Sequence, residues 1–218
     1  MKVIVTGFNP FGSHAVNPSQ EAVIDLPDFV KIDDDKDVAL VKLPLPTCCL
    51  EAFETLNAKM SECGGEPFAI VLAGLADSRS KISLERFALN VRYFPIPDNN
   101  GHEWDQDSIF PQGPDALRTR VKLRDLAQRL ENCGFSVETS NHAGTYVCNE
   151  TYYRALFCWQ NSPNCRGIIF VHLPPYSAYA GVADKPLEGG ASRSIYADAL
   201  KEIVCYLAAQ KSEPDFAI

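Results

Sequence analysis

Two residues stand where their chemistry could be used. Cys148 closes the run Ala143-Gly144-Thr145-Tyr146-Val147 and precedes a helical pattern over 149–159. It therefore sits at a helix start, where unpaired N–H groups and the positive end of the helix dipole favour a thiolate. His172 directly follows the apolar run Ile168-Ile169-Phe170-Val171, which Leu173-Pro174-Pro175 ends. That is the carboxyl end of a strand, where open α/β sheets bind their ligands. A thiol beside an imidazole oriented by a carboxylate is the general form of an activated thiol nucleophile. Pattern alone does not choose the carboxylate. Each residue also has a plain packing reading, Cys148 as a small buried hydrophobe and His172 as a hydrogen-bonded edge residue.

The elements that must position these residues alternate along the chain. Residues 2–5 read as a buried strand running into the loop Gly7-Phe8-Asn9-Pro10-Phe11-Gly12. Asn17-Pro18-Ser19 reads as a helix start with Ser19 as N-cap. Strands follow at 39–43 and 68–72, separated by a helix over 49–60. The stretch 85–93 alternates loosely and leads to Pro95, Pro97 and the turn Asp98-Asn99-Asn100-Gly101. Leu117, Val121, Leu123, Leu126 and Leu130 recur at helical spacing and predict a helix over 117–130. Gly134 ends it and Val137 to Thr139 begin another strand. The helix after Cys148, a strand over 167–171 and a last helix over 193–210 complete the order. This alternation predicts an α/β fold, a three-layer α/β/α sandwich around a mostly parallel, twisted open sheet. With 218 residues and no internal repeat, the chain reads as one domain over 1–218, with 212–218 as a loose tail.

Composition narrows the function. Lys and Arg number 20 against 28 Asp and Glu, a net charge of −8, which argues against a protein built to grip nucleic acid. No stretch of ~20 apolar residues could span a membrane, and the N-terminus lacks the pattern of a signal peptide. The cysteines (Cys48, Cys49, Cys63, Cys133, Cys148, Cys158, Cys165 and Cys205) are too sparse for a disulfide scaffold. There is no Cys-x-x-Cys, and His14, His102, His142 and His172 make no zinc-type spacing with them. Neither metal nor cofactor is expected. The protein reads as cytoplasmic with reduced thiols, most of them buried packing groups. Asp33-Asp34-Asp35-Lys36-Asp37 reads as a solvated loop, lacking the glycine and spacing of a calcium loop.

The order of motifs resembles pyroglutamyl peptidase I, a family of cysteine peptidases that remove N-terminal pyroglutamate. Thr6-Gly7-Phe8-Asn9-Pro10-Phe11-Gly12 matches the family's opening loop, and Asn17-Pro18-Ser19 follows it. Gly74 through Asn90 is similar to the segment with the catalytic glutamate, here Glu85, and Pro97-Asp98-Asn99 with Gly101 to the turn beyond it. Ser140 through Asn149 matches the nucleophile block, and Phe170-Val171-His172-Leu173-Pro174 the histidine block. The resemblance implies Cys148 as nucleophile, His172 as proton carrier and Glu85 as the acid that orients it. It further implies aromatic walls for the lactam ring from Phe8 and Phe11, and places Arg79, Leu75 and Asn17 at the substrate site. The substrates implied are peptides with an N-terminal pyroglutamate, and a homo-oligomer is compatible with the family.

Two positions depart from the pattern. Leu75 stands where bacterial members usually carry Gln, and Pro95 where many carry Arg. Both bear on fine specificity and leave the three catalytic types intact. Two other readings compete: a non-catalytic peptide-binding protein of the same fold, and a nucleoside-handling enzyme of related architecture. The latter needs a phosphate-binding loop, which Gly64-Gly65 and Gly189-Gly190 do not resemble. The former has no need of all three triad types in their own motifs.

Overall fold

The computed structural model describes residues 1–33, 36–179 and 191–210. Strand β1 (Lys2–Phe8) is apolar on both faces, as a central parallel strand must be. Its Val3 and Val5 enter one core, and Ile4 and Phe8 the other. It pairs in parallel with β3 (Lys36–Leu45) on one side and β4 (Phe68–Leu75) on the other. The chain reaches β3 after α1 (Pro18–Asp25) and β4 after α2 (Glu51–Glu62). Strand order thus reverses at β1, and the crevice between the carboxyl ends of β1 and β4 is the expected ligand position.

β10 (Cys165–Leu173) extends the parallel set beyond β4, and β5 (Ile82–Leu89) runs antiparallel beside it. β9 (Val137–His142) lies parallel to β5, and β8 (Ala116–Arg118) antiparallel. The eight-stranded sheet has the order β2-β3-β1-β4-β10-β5-β8, with β9 also on β5; β2 (Phe29–Asp33) is its antiparallel edge. A separate ribbon joins β6 (Arg92–Tyr93) to β7 (Asp105–Asp107). Helices α1, α3 (Leu123–Asn132) and α5 (Ala191–Ala209) cover one face; α2 and α4 (Val147–Trp159) cover the other. The expected α/β/α layering is therefore present, with parallel strands at the centre and antiparallel ones toward the edges.

Several local expectations are corrected. The helix expected over 117–130 begins only at Leu123, because residues 116–118 pair with the end of β5. Leu117 is a strand residue facing the second core, and its helical spacing from Leu123 is coincidental. The N-cap of α1 is Asn17, whose Oδ1 accepts from the Ser19 N–H at 3.1 Å. Pro18 then occupies the first helical position, where its missing N–H costs nothing. β2 is missed by pattern since it is short and ends in the acidic run. Residues 34 and 35 of that run, Gly189-Gly190 and the tail 212–218 lie outside the described residues.

All eight cysteines are unpaired: Cys48, Cys49 and Cys63 buried, Cys148, Cys165 and Cys205 half-buried, Cys133 and Cys158 exposed. The last two fall at a helix end and late on an outer helix face, so the expectation of mostly buried thiols holds for only some of them. Among the described residues, no helix is long and apolar enough to cross a membrane.

Candidate active site

Side chains two apart on a strand share a face, and register partners on adjacent strands share it too. His172 is the register partner of Gly74 on β4 and of Ser83 on β5; Phe170 is the partner of Leu72 and Glu85. His172 and Glu85 are thus diagonal neighbours on the face that α4 covers. Their side chains meet at 2.7 Å between Nδ1 and Oε1, with Glu85 fully buried and His172 7% exposed. A carboxylate only accepts, so Nδ1 is the donor in this contact, and in a neutral ring that tautomer leaves the Nε2 lone pair free. Tyr152 of α4 donates its hydroxyl to the Glu85 carbonyl at 3.1 Å, and its ring lies 5.7 Å from Phe170.

Cys148 reaches the same face from above. It is the second residue of α4, whose N-cap is Tyr146, so first-turn N–H groups without intrahelical acceptors surround it. Its Sγ lies over Gly74: a Cβ added there would stand 3.0 Å from Sγ and 2.9 Å from Phe170 Cζ. Gly74 is the register neighbour of His172, so the thiol rests over the strand beside the imidazole. Gly7 serves the adjoining loop similarly, since a Cβ on it would fall 2.2 Å from the Ser19 carbonyl oxygen as α1 crosses β1.

Two buried polar residues fix the start of α4. Asn149 accepts from the Leu89 N–H at 2.8 Å and donates to the carbonyls of Leu89 and Val91. Glu150 accepts from the Cys49 thiol at 2.7 Å and pairs with Arg92 and Arg154. The helix dipole is expected to lower the Cys148 thiol, but burial outweighs it. Burial first, and the Glu85 charge second, push that thiol up to about 12. At neutral pH it is protonated at rest, so a base must take its proton.

The expected substrate residues fall into different places. Phe11 is half-buried beside Tyr146 and His14, with ring centroids 5.9 and 5.4 Å away. Tyr146 packs in turn on Phe94 at 4.6 Å. Phe8 is 1% exposed and lies beneath this rim, 6.3 Å from the Phe170 ring. Asn17 is 1% exposed, and its side chain is engaged by Ser19 and the Asn9 carbonyl, so it shapes the opening loop from within. Leu75 is buried and follows Gly74 on β4, so strand alternation turns its side chain to the opposite face. Arg79 reaches β9, donating to Glu138 at 2.7 Å and Ser140 at 2.9 Å.

The structure thus brings Cys148, His172 and Glu85 to one sheet face, with Phe11 at its rim. Sequence reasoning missed Tyr146, Asn149, Glu150, Ser83 and Glu138 as parts of it. For Asn149 and Glu150 a signal existed, two adjacent polar residues in the first turn of a helix that is largely buried. Ser83 and Glu138 carry none, because only strand register makes them neighbours.

A three-layer α/β/α fold with a thiol, an imidazole and a buried carboxylate on one face defines the class, a cysteine hydrolase. The sequence pattern of the pyroglutamyl peptidase family matches residues 1–204. The chain belongs to that family. The pyrrolidone-carboxylate peptidase of Brachyspira hyodysenteriae is 33% identical over 205 residues, covering 94% of this chain and 97% of the relative. That of Thermococcus kodakarensis is 33% identical over 186 residues, 85% of this chain and 86% of the relative. Among solved structures, pyroglutamyl peptidase I from Bacillus amyloliquefaciens superimposes with a TM-score of 0.81 at 27% identity, covering 99% of each chain. The Thermus thermophilus pyrrolidone carboxyl peptidase gives 0.76 at 31% identity, over 93% of this chain and 98% of that one.

Proposed function

We propose that this protein hydrolyses the amide bond after an N-terminal pyroglutamyl residue through a thioester on Cys148. The observation that carries the reading is the 2.7 Å contact between His172 Nδ1 and Glu85 Oε1, on the face where the Cys148 sulfur lies over Gly74. His172 Nε2 takes the thiol proton as Sγ attacks the carbonyl carbon of the pyroglutamyl residue. Glu85 holds the ring and balances the imidazolium that forms. The oxyanion is met by first-turn N–H groups of α4, a donor type whose loss costs ~10²–10³ in rate. Collapse of the intermediate passes the proton to the leaving peptide amine and leaves the thioester. Water, deprotonated by His172, then releases pyroglutamate and restores the thiol.

The lactam is flat and uncharged, so its site needs apolar walls and a few backbone partners. Phe11 supplies a wall, with Phe8 packed beneath. One catalytic domain over the whole chain suffices for this reaction. Unpaired thiols throughout support a reducing, cytoplasmic setting. The family resemblance also admits a homo-oligomer, which light scattering reads directly.

A fluorogenic pyroglutamyl amide tests the assignment. Turnover is expected to be blocked by thiol alkylation and absent in Cys148→Ala. Undiminished turnover in that variant would overturn it.

A further inference from the structure

Glu85 is fully buried, and its Oε2 has no hydrogen-bond partner among the described residues. A carboxylate so placed pays for its charge in lost hydration unless a cation stands near. Among the described residues the Arg79 guanidinium supplies a formal positive charge, with Nη2 4.0 Å from Glu85 Oε1. It approaches from the β9 side of β5, while His172 approaches from the β10 side.

Arg79 is itself held. Nη1 donates to Glu138 Oε1 at 2.7 Å and Nη2 to Ser140 Oγ at 2.9 Å. Glu138 also accepts from Ser83, the register neighbour of both Glu138 and His172. Held by these bonds, the guanidinium stands off at 4.0 Å and makes no bidentate pair with Glu85, which would compete with His172 for Oε1. Among the described residues, the charged or titratable groups around Glu85 are His172 on β10, Arg79 before β5, Cys148 and Tyr152 on α4, and Glu138 behind Arg79, with Lys81 bearing on Glu138.

We propose that Arg79 is a positioning residue: restrained by Glu138 and Ser140, its charge steadies the Glu85 carboxylate from 4.0 Å without drawing it from His172, and Glu138 sets how much of that charge reaches the site. This rests on the assignment of Cys148, His172 and Glu85 given above. Removing a positive charge raises the pKa of every neighbouring acid, and removing a negative one lowers it. The two kinds of variant must therefore shift the site's titrations in opposite directions.

The test is the pH dependence of iodoacetamide alkylation at Cys148, followed by mass spectrometry of its peptide, together with kcat and KM on a pyroglutamyl amide. Arg79→Ala is expected to move the alkylation profile upward by about half a pH unit, and Glu138→Gln to move it downward. Arg79→Lys is expected to restore most of the wild-type profile. In Arg79→Ala, kcat falls by about tenfold or more while KM changes less than twofold, since Arg79 positions Glu85 rather than substrate. Profiles that coincide with wild type in both charge variants, or shift in the same direction, would overturn the proposal. So would a loss confined to KM. If Arg79→Ala does not fold, Glu138→Gln and Arg79→Lys decide. Because alkylation needs no substrate, a wild-type protein that fails to turn over the amide sinks the peptidase reading and leaves this test standing.

Discussion

The sulfur of Cys148 fills the space that a side chain at Gly74 would need, 3.0 Å from where its Cβ would stand. The other obstacle, Phe170, is fully buried among Phe8, Tyr152 and His172, so neither neighbour yields freely. Gly74→Ala is expected to cost about 1–3 kcal/mol by overpacking and to displace the thiol. A displacement of about 1 Å at a reacting group loses on the order of 10²-fold in rate. Kinetics and thermal denaturation run side by side check both halves. Wild-type kcat in a stable Gly74→Ala protein would mean that the thiol's position over β4 does not matter.

Glu85→Gln separates catalysis from folding. One oxygen of the buried carboxylate has no hydrogen-bond partner among the described residues, so removing its charge relieves a desolvation cost, and stability is expected to hold or rise. The amide can present its NH2 to His172 Nδ1 and reverse the tautomer, leaving Nε2 protonated and unable to act as base. Loss of this kind of orienting carboxylate costs about 10²–10⁴ in kcat. A well-folded variant with unchanged kcat would remove Glu85 from the mechanism.

Legibility in the sequence followed the physics of each element. Strands β1, β4 and β10 are buried on both faces and read as continuous apolar runs, so the sheet centre and the place of His172 were visible. Cys148 was visible because a strand-end loop runs directly into a helix. Glu85 was not, because its role depends on the antiparallel register of β5 against β10, and it became nameable only through resemblance. The same holds for Arg79, placed at substrate by resemblance and found bonded to β9. Leu117 misled because one leucine fits strand and helix spacing equally well. The raised Cys148 thiol was hidden too, since a helix start predicts the opposite sign until burial and Glu85 are counted.

Stability is expected to fall on both sides of neutrality, for different groups. Burial pushes the thiols of Cys148 and Cys49 up to about 12 and that of Cys165 to about 11, from an ordinary value of 9.0. Between pH 9 and 12 the unfolded chain loses these protons while the folded one keeps them, so folding weakens as pH rises. On the acid side, burial works against the Asp98 charge, but backbone N–H bonds from Cys49, His102 and Asn100 outweigh it and hold its carboxyl low. The Ser83 hydroxyl and then Arg79 hold Glu138 low as well. Their contribution is present above the ordinary carboxylate range and is lost as pH falls through it. Melting temperature measured against pH tests the dome. Cys49→Ala is expected to make the alkaline slope shallower, and an unchanged slope would exclude Cys49 from it.

Asn149, the residue after Cys148, is expected to matter to both stability and rate. It is fully buried, and its amide serves the Leu89 N–H and the carbonyls of Leu89 and Val91. Asn149→Ala leaves all three without that partner, and an unsatisfied buried group costs about 1–3 kcal/mol. Some are recovered by water entering the gap, so a net loss of about 2–4 kcal/mol is expected. The same bonds tie the first turn of α4 to the end of β5, the strand that carries Glu85. Loosening them lets Cys148 drift relative to His172, which lowers kcat by about tenfold or more while Phe11 and the rim are untouched. Asn149→Asp is the informative companion. It keeps the acceptor for Leu89 N–H but turns the donor into a carboxylate facing two carbonyls, so it is expected to be at least as unstable as the alanine variant. Denaturant titration of both variants, with kcat measured below their transitions, checks the coupling; a destabilised Asn149→Ala with wild-type kcat would show that the tie serves the fold alone.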